Sequence, residues 1–328
     1  GADRGGFLQF VWAAAGVFLA GALAAQAGRY VVMPGTPGGT NAGAFDDWTI
    51  AATQIQWAVD AAGVGETVWV SNGVYVLTNQ IVITNAVTLR SAEGHGPADT
   101  IIDGGFTGMG VEGETTNRRC LWMSNAAALV HGFTFSNGAS LLNTVDTSGS
   151  GAGVWMYSGV LSNCDVCNNA LFSPTFSQGG GGGIYCGAIG SIGATVTACR
   201  VFGNLLTNLN FNQANSRGTG VGINILDANS LVSNCLVSNN FFAGQSGSEN
   251  HGAGIYAYYP CRIRSSLICH NRNPNSHAGG IRMQYSPSIH DSTVTLNQAY
   301  SGGGCSIVNG GTLSNCVVSY NLSAYTWF

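Results

Sequence analysis

The chain of 328 residues contains no lysine. Eleven arginines stand against fifteen acids, for a formal net charge of −4. Nucleic-acid phosphates demand clustered cations, and this balance does not supply them, so no nucleic-acid partner is expected. Charge of either sign is scarce, at 8% of residues against roughly a quarter in average domains. With 45% hydrophobic residues this scarcity does not signal disorder, because enough apolar surface is present to build a core. Between Gly151 and Asn321 the only acids are Asp165, Asp227, Glu249 and Asp291. Their sparseness argues against a carboxylate metal site. A second Cys-x-x-Cys is missing too. CDVC at 164–167 stands alone, which does not indicate zinc, and no metal or cofactor is expected.

Long apolar runs are confined to the N-terminus. Arg4 is followed by FLQFVWAAAGVFLAGALAAQA and then Gly28. A positive start, an apolar run and the small-residue end Ala25-Gln26-Ala27 read as an export signal over 1–27. The rival is a membrane anchor, but the run from Phe10 to Ala25 falls short of the roughly 20 residues that a spanning helix needs. After signal removal no membrane span is expected.

What the chain has in quantity is glycine, 49 residues, and a repeat. SNCDVCNN, TACRVFGN, SNCLVSNN and SNCVVSYN share one column pattern, [VLI]-x-x-[C/S]-x-[VI]-x-x-N. It holds at Leu161/Cys164/Val166/Asn169, Val196/Cys199/Val201/Asn204 and Val232/Cys235/Val237/Asn240. It continues at Ile263/Ser266/Ile268/Asn271, Ile289/Ser292/Val294/Asn297 and Leu313/Cys316/Val318/Asn321. An earlier copy, Val130/Phe133/Phe135, has its Asn137 one residue early. Each copy follows a glycine motif: GAGV at 151–154, GGGI at 181–184, GTGV at 218–221, GAGI at 252–255, AGGI at 278–281 and GGGC at 302–305. Asn-to-Asn spacings run 35, 36, 31, 26 and 24. A constant core with variable connections is the mark of a stacked array.

Cys164 and Val166 differ by two and share a strand face, whereas Leu161 and Cys164 differ by three. Both are interior only if the chain bends near Ser162–Asn163. Strand, corner and strand around one interior describe a coil of a parallel β-helix. Stacked about 4.8 Å apart, like side chains sit over like. The Val/Ile column becomes an apolar ladder, and the Asn column an amide ladder in which each member donates to one rung and accepts from the other. Cys164, Cys199, Cys235 and Cys316 fall in a cramped corner column. They are expected as free thiols, because parallel stacked side chains rarely meet disulfide geometry. Asp165 stacks on Arg200 in an outward column, a surface ion pair worth at most about 1 kcal/mol.

Residues 48–63 read as an amphipathic helix, with Ile55, Ala58, Val59 and Ala62 on one stripe. Within a cap at 45–63, it would cover the open first coil. First coils at 67–104 and repeated coils at 119–321 follow, all in one domain from 28 to 328. The last rung ends in SAYTWF without a comparable cap. A cut within a longer surface solenoid is expected, the alternative being that Tyr325, Trp327 and Phe328 fold over the end.

The segment from YVV through ETVWVSNGVYVL to IIDGG, followed by GGGI and VxxN repeats, resembles the right-handed parallel β-helix proteins of the pectin-lyase-like superfamily. More narrowly, the glycine motif paired with x-x-Asn resembles the repeats of polymorphic outer-membrane proteins. The likeness covers roughly residues 29–321 and implies an all-β, right-handed parallel β-helix, exported to the medium or a bacterial outer surface. The superfamily includes pectate lyases, which hold Ca2+ on clustered carboxylates with an Arg base. Here the four acids fall at different points of their repeats. Its polygalacturonases carry Asn-Thr-Asp, Asp-Asp, Gly-His-Gly and Arg-Ile-Lys in that order. In this chain Asp46-Asp47, the GHG around His95 and the CRIRS at 261–265 break the order, so no catalytic set carries over.

Function is therefore expected in the variable loops. Phe172, Phe176, Phe211, Phe241 and Phe242 lie among Asn, Gln and Ser, a composition suited to sugars. The alternative is that these loops pack on one another. Arg262, Arg264, Arg272 and Arg282, with His251, His270, His277 and His290, read as a patch for an acidic glycan or as scattered surface positions. Glu112, Glu114, Arg118, Arg119 and Asp146 are candidates for acid–base chemistry or anion binding, against a plain solvated loop. The preferred expectation is a non-catalytic protein binding polysaccharide or another cell-surface partner. The alternative is a polysaccharide lyase or glycoside hydrolase with an unfamiliar site, the one case in which Ca2+ is expected.

Overall fold

The computed structural model describes residues 28–106, 118–141, 149–173, 180–187, 191–208, 219–243 and 251–324. The expected signal segment at 1–27 lies outside them, as do Glu112, Glu114, Asp146, Phe176, Phe211, Glu249, Tyr325, Trp327 and Phe328. The chain winds as a right-handed parallel β-helix, the hand that parallel crossovers favour. Each full coil contributes one strand to each of four long parallel sheets, of ten, nine, seven and eight strands among the described residues. In chain order we number these sheets 1 to 4. Sheet 1 carries the Leu161 column, sheet 2 the Val166 column, sheet 3 the strand after the ladder Asn, and sheet 4 the strand after the glycine motif.

The columns stand in register. Val130, Leu161, Val196, Val232, Ile263, Ile289 and Leu313 pair in succession along sheet 1. Phe135, Val166, Val201, Val237, Ile268, Val294 and Val318 do so along sheet 2. Leu161, Val166 and their counterparts down to Ile289 and Val294 are wholly buried. The bend between sheets 1 and 2 falls at Asn163, which has φ +47°, with equivalents at Ala198, Asn234, Ser265, Asp291 and Asn315.

The Cys/Ser column closes this bend with a hydrogen bond. The thiols of Cys164, Cys199, Cys235 and Cys316 each donate to the carbonyl two residues earlier at 3.2 Å. Ser266 and Ser292 do the same at 2.8 and 2.7 Å. Space alone therefore does not choose the residue: the position takes a small side chain with a donor. All ten cysteines are unpaired.

The amide ladder runs unbroken from Asn169 through Asn204, Asn240, Asn271 and Asn297 to Asn321, with Nδ2 to Oδ1 distances of 2.9–3.0 Å. Its first slot belongs to Gly138, whose backbone N–H donates to Asn169 Oδ1 at 2.8 Å. Asn137 turns aside to Asp103. The glycine at the third position of each motif faces this ladder. A Cβ at Gly153 would sit 2.7 Å from Asn169 Nδ2 and 2.8 Å from the Gly183 carbonyl. The register corrects one motif copy: Ile223 pairs with Ile184, so the copy is Gly220–Ile223 rather than 218–221. The middle position tolerates Val221 because it packs with Ala152, Leu171, Leu206 and Phe242 in a second small core.

The expected helix over 48–63 is shorter. Trp48–Ile50 forms a single 3-10 turn and helix α1 spans Ile55–Ala61. Between them Ala52 is held extended, bonding through both backbone groups to Tyr30 and Val32, so helix cannot start before it. Ile55, Ala58 and Val59 are buried on the first coil, as the stripe requires.

Candidate functional site

Residues alternate in and out along sheet 4, and the outward column reads Trp122, Trp155, Tyr185, Asn224, Tyr256, Arg282, Ser306 in successive coils. Most of it is covered: Trp155, Tyr185, Asn224, Tyr256 and Arg282 are buried. Trp155 meets Tyr185 edge-on at 5.7 Å. The buried Arg119 lies over Trp155 at 4.6 Å and donates to the carbonyls of Ser150 and Gly151 and to Gln80 Oε1. Burial pulls its guanidinium down to about 10, still charged at neutral pH. Arg119 thus ties coils together and is not free for acid–base work. Arg118 is exposed and donates to the Gly105 carbonyl at 3.0 Å.

The column opens to solvent at the corner where sheet 4 turns into sheet 1. Tyr259 and Tyr285 occupy the same position in adjacent coils and stack, with centroids 6.3 Å apart and planes 29° apart. Tyr258 stands against both, at 4.8 Å from Tyr259 and 5.0 Å from Tyr285, near perpendicular. Beneath them the Tyr256 hydroxyl donates to Gln284 Oε1 at 3.0 Å, and burial raises that phenol well above its usual range. Tyr285 is 42% exposed.

Backbone strain accompanies this exposure. Tyr285 and Ser286 have φ +57° and +67°, while the next coil places Asn309 and Gly310 in those positions. Asn-Gly is the pair that accepts two successive left-handed residues, and a bulky side chain there costs about 1–3 kcal/mol. Positive φ recurs at the coil corners of this chain, at Ala198, Ser265 and Leu296 among others, so at Tyr285 it marks the corner that turns the ring outward.

The residues singled out from sequence fare unevenly. Phe172 and Phe242 are strand residues of sheet 3 and are buried, not loop rings in solvent: Phe172 packs edge-on against Phe106, and Phe242 fills the second small core. Phe241 is exposed, with Arg272 at 5.6 Å from its ring. The four arginines do not form one patch. Arg262 and Arg264 are on sheet 1, Arg272 on sheet 3 and Arg282 on sheet 4, where it is buried and bonds to Ser306. Asp165 and Arg200 do pair, through two hydrogen bonds, but Asp165 is buried rather than on the surface. Asp227 is also buried, and accepts from the backbone N–H groups of Asn229 and Ser230 and from the Ser230 hydroxyl. Among the described residues no three His, Cys, Asp or Glu side chains come together as a metal-ligand set. The tyrosine corner was missed, although a signal existed: Tyr259 and Tyr285 each follow the last residue of their glycine motif by four.

No family model matches the chain, and no curated protein matches it. Among solved structures, that of Escherichia coli YbhC is similar at a TM-score of 0.39 and 12% identity, over 88% of this chain and 84% of that one. So slight a likeness says nothing about activity. No described helix is long and apolar enough to cross a membrane.

Proposed function

We propose that this chain is an exported, non-catalytic β-helix that binds polysaccharide at the corner formed by Tyr258, Tyr259 and Tyr285. The carrying observation is the stacked pair Tyr259/Tyr285, in which Tyr285 is exposed and Tyr259 half-buried, held by two successive coils of the stack. Sugar C–H faces stack on aromatic rings while hydroxyls bond to amides, and Gln284 lies beside these rings. Tyrosine supplies such contact area with little rotamer entropy to lose. Two rings one coil apart suit a ligand that repeats along its own length, as a polysaccharide does. The surroundings favour binding over bond cleavage. Asp227, at the Tyr259 position one coil earlier, is buried and bonded to Asn229 and Ser230, and from His251 to Ala324 the one acid is Asp291, which lies at the sheet 1 to sheet 2 corner and accepts from Asn315.

Affinity electrophoresis through gels containing neutral and acidic polysaccharides tests the reading. Saturable retardation is expected, and Tyr285→Ala or Tyr259→Ala should weaken it about tenfold, the factor for a loss near 1.4 kcal/mol. Release of reducing ends or unsaturated sugars by the unaltered protein, with or without Ca2+, would favour the lyase or hydrolase reading and overturn this one.

A further inference from the structure

Three sheets begin at the N-terminal end of the stack, and two of them are closed there. The first strand of sheet 1, Gly28–Val31, is covered by Phe45 and Ala52, which bond to the backbone of Tyr30 and Val32. The first strand of sheet 4, Ile81–Ile83, is closed by the Gln56 side chain, which accepts from Val82 N at 2.7 Å and donates to Val82 O at 3.1 Å.

The first strand of sheet 2, Gly73–Val76, differs. It pairs in parallel with Thr100–Asp103. Gly73 N donates to the Asp99 carbonyl and Leu77 N to the Asp103 carbonyl, both at 2.8 Å. Alternate residues of a parallel strand bond to a given neighbour. Gly73, Tyr75 and Leu77 therefore serve this pairing, and the N–H and C=O groups of Val74 and Val76 point the opposite way. Among the described residues nothing bonds to them. Their side chains are exposed at 44% and 66%.

Val74 and Val76 line a cavity of about 530 Å³ together with Met33, Gln54, Trp57 and Asp60. Binding clefts of roughly 300–1,000 Å³ hold small ligands or short segments. Among the described residues Asp60 is the one charged side chain lining it, and only its Oδ1 is engaged, by Gln56 Nε2 at 2.7 Å.

We propose that this edge is a docking site for an extended peptide from another protein, which adds as a strand ahead of Gly73–Val76. The peptide carries apolar side chains for the Val74, Val76 and Trp57 surface and a lysine or arginine for Asp60. Two donors and two acceptors repeat here at the two-residue period of a strand, about 6.6 Å, which a partner strand matches. Unpaired edges of this kind are the usual seat of strand addition.

The test uses the whole protein and a capped pentapeptide, threonine-valine-lysine-valine-threonine. In the free protein the Val74 and Val76 amides should exchange with solvent deuterium rapidly while the Tyr75 amide is protected. The peptide should slow Val74 and Val76 at least tenfold, and its version N-methylated at both valines should not. Asp60→Asn should weaken the peptide severalfold while leaving unchanged the affinity for an analogue with norleucine in place of lysine. Val76→Pro should abolish binding. Edge strands tolerate proline where the lost N–H faced outward, and a circular dichroism spectrum like that of the unaltered protein would show the fold kept. Protection of both amides in the free monomer, no effect at millimolar peptide, equal effect of the N-methylated form, or protection that grows with protein concentration alone would each overturn the proposal. The last would make a second copy the occupant.

Discussion

The side-chain amide of Asn204 donates to Asn240 Oδ1 at 2.9 Å, and the same oxygen takes the Asn204 backbone N–H at 3.2 Å. One buried residue thus satisfies its neighbour's main chain as well as its side chain. Asn240→Ala leaves the Asn204 N–H without an acceptor and removes the donors to Val201 O and Asn271 Oδ1. A loss of about 2–3 kcal/mol is expected from urea unfolding. Asn321→Ala, at the half-exposed end of the ladder, should cost about 1 kcal/mol, because water replaces the lost partner.

The glycine at the third position of the motif has a steric cause that substitution can measure. A Cβ at Gly222 would lie 2.6 Å from the Gly254 carbonyl and 2.8 Å from Asn240 Nδ2. Neither group can retreat without breaking the ladder, so Gly222→Ala should cost about 3 kcal/mol, the upper end for overpacking. Gly94→Ala meets nothing within 4 Å and bears only its φ of +80°. It should cost about 1 kcal/mol. Thermal unfolding of the two variants side by side checks the contrast.

Buried thiols should make the protein sensitive to alkali. Burial raises Cys167 to about 11 and Cys261 to about 12. Unfolded cysteine titrates near 8.5, so above that pH the unfolded chain sheds protons that the folded chain keeps. Stability then falls as pH rises, by about 1.4 kcal/mol per pH unit for each such thiol, from about 8.5 up to the folded values. Below about 8.5 these thiols contribute no slope. Urea midpoints at pH 7, 9 and 10 should show the decline, and Cys261→Ser should flatten it.

Strain at Tyr285 and Ser286 separates stability from binding. Replacing the pair by the Asn and Gly that occupy the next coil should stabilise the fold by about 1 kcal/mol or more, since Asn and Gly accept positive φ. The same change removes a ring from the proposed glycan corner and should weaken polysaccharide binding about tenfold. A higher melting temperature with reduced gel retardation is the expected pair of results.

Much of the cross-section was legible in the chain. The offsets of Leu161, Cys164, Val166 and Asn169 placed a bend at Ser162–Asn163, and Asn163 adopts a positive φ there. Spacing of two or three residues is a local property, and stacking then turns a repeated type into a ladder. The third sheet was less legible, because its buried column is apolar in only three adjacent coils, Leu171, Leu206 and Phe242, after Ser140, and the column beside it runs Ala139, Ala170, Leu205, Phe241 and Arg272. Phe172 and Phe242 were read as loop rings for that reason.

The coil follows from the residues alone: which of them face inward, where amides stack, and, in all but the copy at Gly220–Ile223, where the glycine motif stands. Those demands repeat every 24 to 36 residues and depend only on one coil meeting the next. The tertiary structure alone decided what the outer surface presents. Tyr259 and Tyr285 meet because two corners are stacked in register, Arg262, Arg272 and Arg282 separate because a coil has several faces, and among the described residues none of the cap bonds to the Val74–Val76 edge. Outward neighbours come from different coils and need no common residue type, so no periodicity in the chain reveals them.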